Sequence, residues 1–298
     1  MSGVSMKWFS VVFAIASLWT EVYPCLLTDD RLNSWIVTIR YAESNRVVCV
    51  GSLIAANYVV APMTCFQKTA SGGFNEGRKY TVEAGSPGEC QQSRRGKLVM
   101  GHPELVEDRY KYNIAYLEVE PFDVDPVNPP VMELPHSEKN NVEMVKQVIL
   151  EKAQCNLPLF KVENSRDDPK NQLTNNEVTM ISRGDCWNQY CPSGNRGCLP
   201  FFWTTESYFC STADDVLRRK CEYANIGAPV ICNGTAVGFL KICREPEPLL
   251  IQGFNQEQLD GIEMYRKISS GKLEVEEDGE EQEEPPFQDG DESDEYPL

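Results

Sequence analysis

The sequence predicts a secreted, all-β, disulfide-bonded domain that ends in an acidic tail. Three observations carry this. An apolar run, Trp8–Trp19, follows Lys7; its 12 residues fall short of the about 20 that span a bilayer, which is the form of a signal peptide. Twelve cysteines follow it, and an even count behind such a segment reads as disulfides. The apolar residues of the body fall in short, strand-length runs separated by Gly, Pro and Asn.

Composition narrows the function classes. A chain of 298 residues, 41% hydrophobic, can bury one sizeable core. The net charge of −17 argues against nucleic acid and anionic membrane surfaces as partners. No second long apolar run occurs, so no membrane span is expected. No C-x2-C pair occurs and the two histidines, His102 and His136, are remote from the cysteine clusters, so neither a zinc site nor a cofactor is expected.

The elements follow in order. Residues 1–20 are the signal segment, with cleavage between Ser17 and Tyr23; residues 25–270 form the domain and 271–298 the tail. Trp35–Ile39 reads as a strand. Val48–Cys65 reads as two strands joined by a turn at Ala55–Asn57, on Val50, Leu53, Ile54, Val59 and Val60. Pro126, Pro129, Pro130 and Pro135 mark residues 121–141 as a linker. Val145–Ala153 reads as a strand, and residues 162–176 as a polar loop. Cys186, Cys191 and Cys198 crowd into a loop containing Gly and Pro. Tyr208–Cys210 and Pro248–Ile251 read as strands, with a hairpin at Asn233-Gly234 between them. Phe254, Leu259, Ile262 and Tyr265 have helical spacing across Phe254–Ile268, although Gly261 weakens that helix. Thirteen Asp or Glu and no Lys or Arg occupy Glu274–Leu298, −13 of the net −17, and predict a disordered, solvated tail.

Three stretches carry a family resemblance. Cys49, Gly51, Ser52, Leu53, Ile54 and Cys65 match the CGGSLI…TAAHC stretch of the trypsin-like serine proteases. His102-Pro103 and Asn113-Ile114-Ala115-Tyr116-Leu117-Glu118-Val119 resemble the family's HP…NDIALLKL. Cys221 to Cys232, with Gly227 and Pro229 in register, is similar to the nucleophile loop, and Cys232-Asn233-Gly234-Thr235-Ala236-Val237-Gly238-Phe239 to the hairpin that follows it. The resemblance spans roughly residues 32–268. It implies two six-stranded antiparallel β-barrels with a C-terminal helix. It also implies the bridges Cys49–Cys65, Cys155–Cys232 and Cys221–Cys243, and pairing of Cys210 with one of Cys186, Cys191 and Cys198. Cys25 and Cys90 remain possible partners for each other.

The chemistry that the family performs is not implied. Its general base falls on Thr64, the orienting Asp on Asn113 and the nucleophile on Ile226. A threonine hydroxyl cannot take a proton near neutrality, a neutral amide cannot stabilise an imidazolium, and isoleucine has no lone pair. Ala224 stands where the oxyanion hole favours Gly. The family's activation sequence is missing between Cys25 and Trp35, and the Asp that receives the new N-terminus is Asn225. His102 falls on a surface-loop position and His136 in the linker. Arg218-Arg219-Lys220 lies where primary specificity is set, and is read as a solvated strip.

The expected function is therefore that of a catalytically degenerate, secreted serine protease homologue of the clip-less insect type. Such a protein acts by binding other proteins, as decoy, cofactor or regulator of active proteases or their substrates, for example in seminal fluid. A polyanionic binding or carrier role for the tail is the alternative, with Tyr296 in an acidic setting that resembles sulfation acceptors. Residual serine-type endopeptidase activity is a minor one. Asn233-Gly234-Thr235 is a glycosylation sequon on the hairpin turn.

Overall fold

Among the described residues every named strand pairs with antiparallel neighbours, and the two sheets they form close on themselves. The structure is a computed structural model that describes residues 27, 34–67, 73–86, 90–101, 113–127, 130–160, 173–191, 207–212, 217, 225–243 and 248–273. The signal segment, the acidic tail from residue 274, His102 and residues 162–172 of the polar loop expected over 162–176 lie outside them; residues 173–176 of that expected loop belong instead to the strand Leu173–Ile181, whose polar residues pair through their backbones with Leu157–Phe160.

The first barrel holds β1 (Ile36–Tyr41), β2 (Val47–Ala55), β3 (Tyr58–Pro62), β4 (Tyr80–Ser86), β5 (Cys90–Gly101) and β6 (Ile114–Val119), in the order β1-β2-β3-β6-β5-β4. The second holds β7 (Gln154–Phe160), β8 (Leu173–Ile181), β9 (Tyr208–Ser211), β10 (Pro229–Cys232), β11 (Thr235–Ile242) and β12 (Leu249–Gly253), in the order β10-β11-β12-β9-β8-β7. β-Branched and aliphatic residues dominate the paired runs, and β3, β10 and β12 are buried along their whole length, as strands covered on both faces must be. The β10–β11 turn is Asn233 (φ 51°) and Gly234 (φ 84°), two successive left-handed residues that twist a two-residue hairpin correctly.

The segment expected as the first strand of the second barrel, Val145–Ala153, is instead part of helix α1 (Glu138–Glu151). Val142, Val145 and Val148 recur every three residues and are buried, whereas the intervening Lys146 and Gln147 are exposed. Ser137 caps the start by accepting from the Asn140 N–H, and Lys152, left-handed at φ 53°, ends it. The first strand of that barrel is β7. The cysteine loop needs a similar correction. Cys186 sits on helix α2 (Arg183–Tyr190), which Ser182 caps, with Cys186 and Tyr190 buried one turn apart.

The C-terminal helix α3 (Gln256–Ser269) starts with a reciprocal capping box between Asn255 and Gln258. It follows the second barrel in sequence but packs on the first. Its Tyr265 ring lies 5.1 Å from Tyr58 and 4.2 Å from Tyr116, and Arg266 donates to the carbonyls of Ile54 (3.2 Å) and Met132. Gly261 explains itself here: a Cβ on it would lie 2.3 Å from the Tyr116 hydroxyl. Disulfides join Cys49 to Cys65, Cys155 to Cys232 and Cys186 to Cys210. Cys90, Cys191 and Cys243 are disulfide-bonded as well, whereas Cys25, Cys198 and Cys221 lie outside the described residues.

Candidate functional site

Three loops meet where the barrels touch. The chain leaves β3 at Pro62 and turns through a single 3₁₀ turn, Met63–Cys65, which the Cys49–Cys65 bond ties back to β2. Thr64 is exposed at the middle of this turn. The Met63 N–H donates to the Asn113 carbonyl (3.3 Å), which seats the start of β6 beside it. On the other barrel, Ile226 occupies the tight turn before β10, and its carbonyl accepts from the Val50 N–H of β2 (2.9 Å). Gly227 follows at φ 91°; a Cβ there would lie 2.2 Å from the Val50 carbonyl oxygen and 2.8 Å from the Pro62 ring, so only glycine lets the turn press this close. The fold thus brings Thr64, Asn113 and Ile226 to one junction. The exposed hydroxyl, the buried amide and the half-buried hydrocarbon include no group that takes up a proton near neutrality. His136 is exposed in the linker.

Behind Asn113 runs a chain of polar groups that the sequence motifs did not indicate. The Asn113 Nδ2 donates to Gln252 Oε1 of β12 (3.0 Å). Lys241 of β11 donates from Nζ to the same oxygen (3.4 Å) and to the Tyr208 hydroxyl of β9 (3.3 Å). Its Nζ also lies 5.5 Å from the centre of the Tyr208 ring. Burial pushes the Lys241 ammonium down from 10.5 to about 7. Two atoms of the chain, Asn113 Oδ1 and Gln252 Nε2, are buried with no partner among the described residues. The available signal was a lone Lys in the apolar strand Ala-Val-Gly-Phe-Leu-Lys-Ile and a lone Gln in Leu-Leu-Ile-Gln-Gly.

The residue before Ile226 is locked. Asn225 is fully buried; its Oδ1 accepts from the Phe160 N–H (2.9 Å) and its Nδ2 donates to the Phe160 carbonyl (3.1 Å). The turn is therefore held by an uncharged side chain gripping the end of β7. Ala224, Cys221 and Arg218-Arg219-Lys220 lie outside the described residues. Asn233 is exposed at the hairpin tip. Among the described residues no group of three His, Cys, Asp or Glu could hold a metal ion, and no helix is long and apolar enough to cross a membrane.

The family model described as Trypsin matches residues 28–251. Among solved structures, the chain is similar to the scabies mite inactivated protease paralogue S-I1, at 15% identity and a TM-score of 0.58. The match covers 81% of this chain and 98% of that one. No curated protein matches the sequence.

Proposed function

We propose that this chain, which belongs to the trypsin family, is a secreted, non-catalytic member that acts by binding other proteins, as decoy, cofactor or regulator of active proteases or their substrates. The observation that carries the proposal is Ile226. Gly227 keeps the left-handed conformation of the turn, at φ 91°, yet the residue before it, where a nucleophile is expected, is a hydrocarbon. Thr64 and Asn113 meet it at the same junction, so the base and its orienter are replaced together with the nucleophile. The similar scabies mite protein is itself an inactivated protease paralogue. Secretion is supported by the signal segment and by the disulfides, and seminal fluid is the candidate setting taken from the resemblance to clip-less homologues.

A fluorophosphonate probe tests the loss of catalysis: the purified chain should remain unlabelled under conditions that label an active trypsin, and stoichiometric labelling overturns the proposal. Binding is tested by capturing active proteases from the native fluid with the immobilised chain. A second version ending at Gly271 separates the barrel surface from the alternative reading. If capture depends on the thirteen acidic residues of Glu274–Leu298, the polyanionic tail is the binding element.

A further inference from the structure

We infer that the peptide bond between Lys272 and Leu273 is a processing site, where a Lys/Arg-specific protease cuts and releases the acidic segment from the barrels in one piece. The inference holds whichever protein the barrels bind. Helix α3 is fastened to the first barrel as far as Ser269, through Arg266 on the Ile54 and Met132 carbonyls and Ser269 on Asn57. Beyond Ser269 the hydrogen bonds among the described residues stay within the last turn. The N–H groups of Ser270, Gly271 and Lys272 donate to the carbonyls of Arg266 (3.1 Å), Ile268 (3.0 Å) and Lys267 (2.9 Å). Gly271 is left-handed, at φ 66°, with open space where a Cβ would stand. Ser270, Gly271, Lys272 and Leu273 are all exposed. A protease takes its substrate as an extended strand, so a folded segment must open before it is cut, and cleavage follows the population of the opened form. Opening around Lys272 breaks the bonds of one helical turn at the end of the described chain.

The other described Lys and Arg residues stand where opening costs more. Arg46 closes the β1–β2 turn, its carbonyl accepting from the Tyr41 N–H (3.0 Å). Arg78 and Lys79 belong to the 3₁₀ turn Gly77–Lys79, so close to β5 that a Cβ on Gly77 would lie 2.4 Å from the Leu98 nitrogen. Lys152 joins α1 to β7, and the rest lie inside helices or strands. The sequence also lets the product leave. Glu274–Leu298 has no Lys or Arg, so such a protease does not divide it, and no cysteine follows Cys243, so no disulfide retains it. A cut between Cys155 and Cys232, by contrast, leaves both pieces joined by their disulfide. Thirteen carboxylates depart with the segment, −13 of the net −17, which changes the field the barrels present to a charged partner. The reaction is hydrolysis. The oxygen of water joins the Lys272 carbonyl carbon, the C–N bond to Leu273 breaks, and the leaving nitrogen takes a proton. Peptide plus water gives a carboxylate and an amine, and nothing is oxidised or reduced. The protease supplies the nucleophile; this chain supplies the lysine that a carboxylate-bearing specificity pocket reads.

Brief digestion of the native full chain with a trace of trypsin, read by intact mass without reduction, tests this. A free peptide with the mass of Leu273–Leu298 should appear at least about tenfold faster than cuts after Arg46, Lys79 or Lys152. Lys272→Gln leaves Lys267, inside α3, as the next basic residue upstream. That variant should release the acidic segment about tenfold more slowly, or slower still, with an unchanged melting temperature as the check on its fold. Cuts after Arg46, Lys79 or Lys152 while the acidic segment stays attached, or equally fast release from Lys272→Gln, overturn the inference.

Discussion

Asn225 grips both backbone polar groups of Phe160, taking its N–H at 2.9 Å and donating to its carbonyl at 3.1 Å. An amide is suited to this because it offers one acceptor and one donor; a carboxylate offers acceptors only. Asn225→Asp would therefore face the Phe160 carbonyl with an oxygen at a fully buried site. The new carboxyl should have its pKa raised by burial and by the lost donor. A raised carboxyl pKa means that stability is highest in acid and falls as pH rises through the folded value. Thermal denaturation should show a loss of at least about 2 kcal/mol at pH 7, diminishing toward pH 4.

Lys241 gives the opposite pH signature. Its folded value, about 7, lies below its ordinary 10.5, so between those limits the unfolded chain binds more protons than the folded one. Stability from this group rises with pH across that window. Lys241→Met keeps the apolar stem and removes the charge. Denaturant titrations should show the variant more stable than the native chain at pH 7, by about 1–3 kcal/mol, with the difference closing toward pH 10.

Gly261 sits in the middle of α3, where alanine ordinarily stabilises a helix by about 1 kcal/mol. Here Gly261→Ala should destabilise by about 1–3 kcal/mol, because the new methyl meets the Tyr116 hydroxyl 2.3 Å away. The double variant Gly261→Ala/Tyr116→Phe removes the clashing oxygen and should recover most of the loss, since that hydroxyl makes only a 3.5 Å contact with the Gln258 carbonyl. A double-mutant cycle by calorimetry reads the coupling.

Arg40 is 1% exposed inside the first barrel, with its Nε 2.7 Å from Glu83 Oε2 and one guanidinium N–H on the Asn45 carbonyl (2.9 Å). Glu83→Ala removes the carboxylate from beside this buried cation. Urea unfolding should show a cost of about 3–5 kcal/mol, well above that of Arg78 paired with Glu76 on the surface, where Glu76→Ala should cost under about 1 kcal/mol.

The barrels were legible because alternating and continuous apolar runs, and turns such as Asn233-Gly234, are local signals. Helix α1 was not. Val145, Val148 and Ile149 fit a strand-length run as well as a helical face, and the deciding cap at Ser137 lay inside a stretch read as linker. The junction of Thr64, Asn113 and Ile226 was legible only through the family motifs, since nothing within each segment says that they meet. The Asn113–Gln252–Lys241–Tyr208 chain was invisible for a related reason. Its members are 139 residues apart at one end and each, in its own strand, is an unremarkable polar residue. The neutral amide of Asn113 and the lone Lys241 acquire meaning only when the fold places both on one glutamine.

Helix α3 has a mechanical consequence. The chain runs through the second barrel and then returns, so that Arg266 and Tyr265 clasp the first barrel while Phe254, just ahead of the helix, remains on Phe239 of the second, ring centres 5.0 Å apart. A hinge between the barrels would have to break this clasp, and the two halves should move as one block. Ser269 is bonded to Asn57 of the β2–β3 turn, only a few residues before the acidic run begins. The last described residues therefore leave the domain from the first barrel's side.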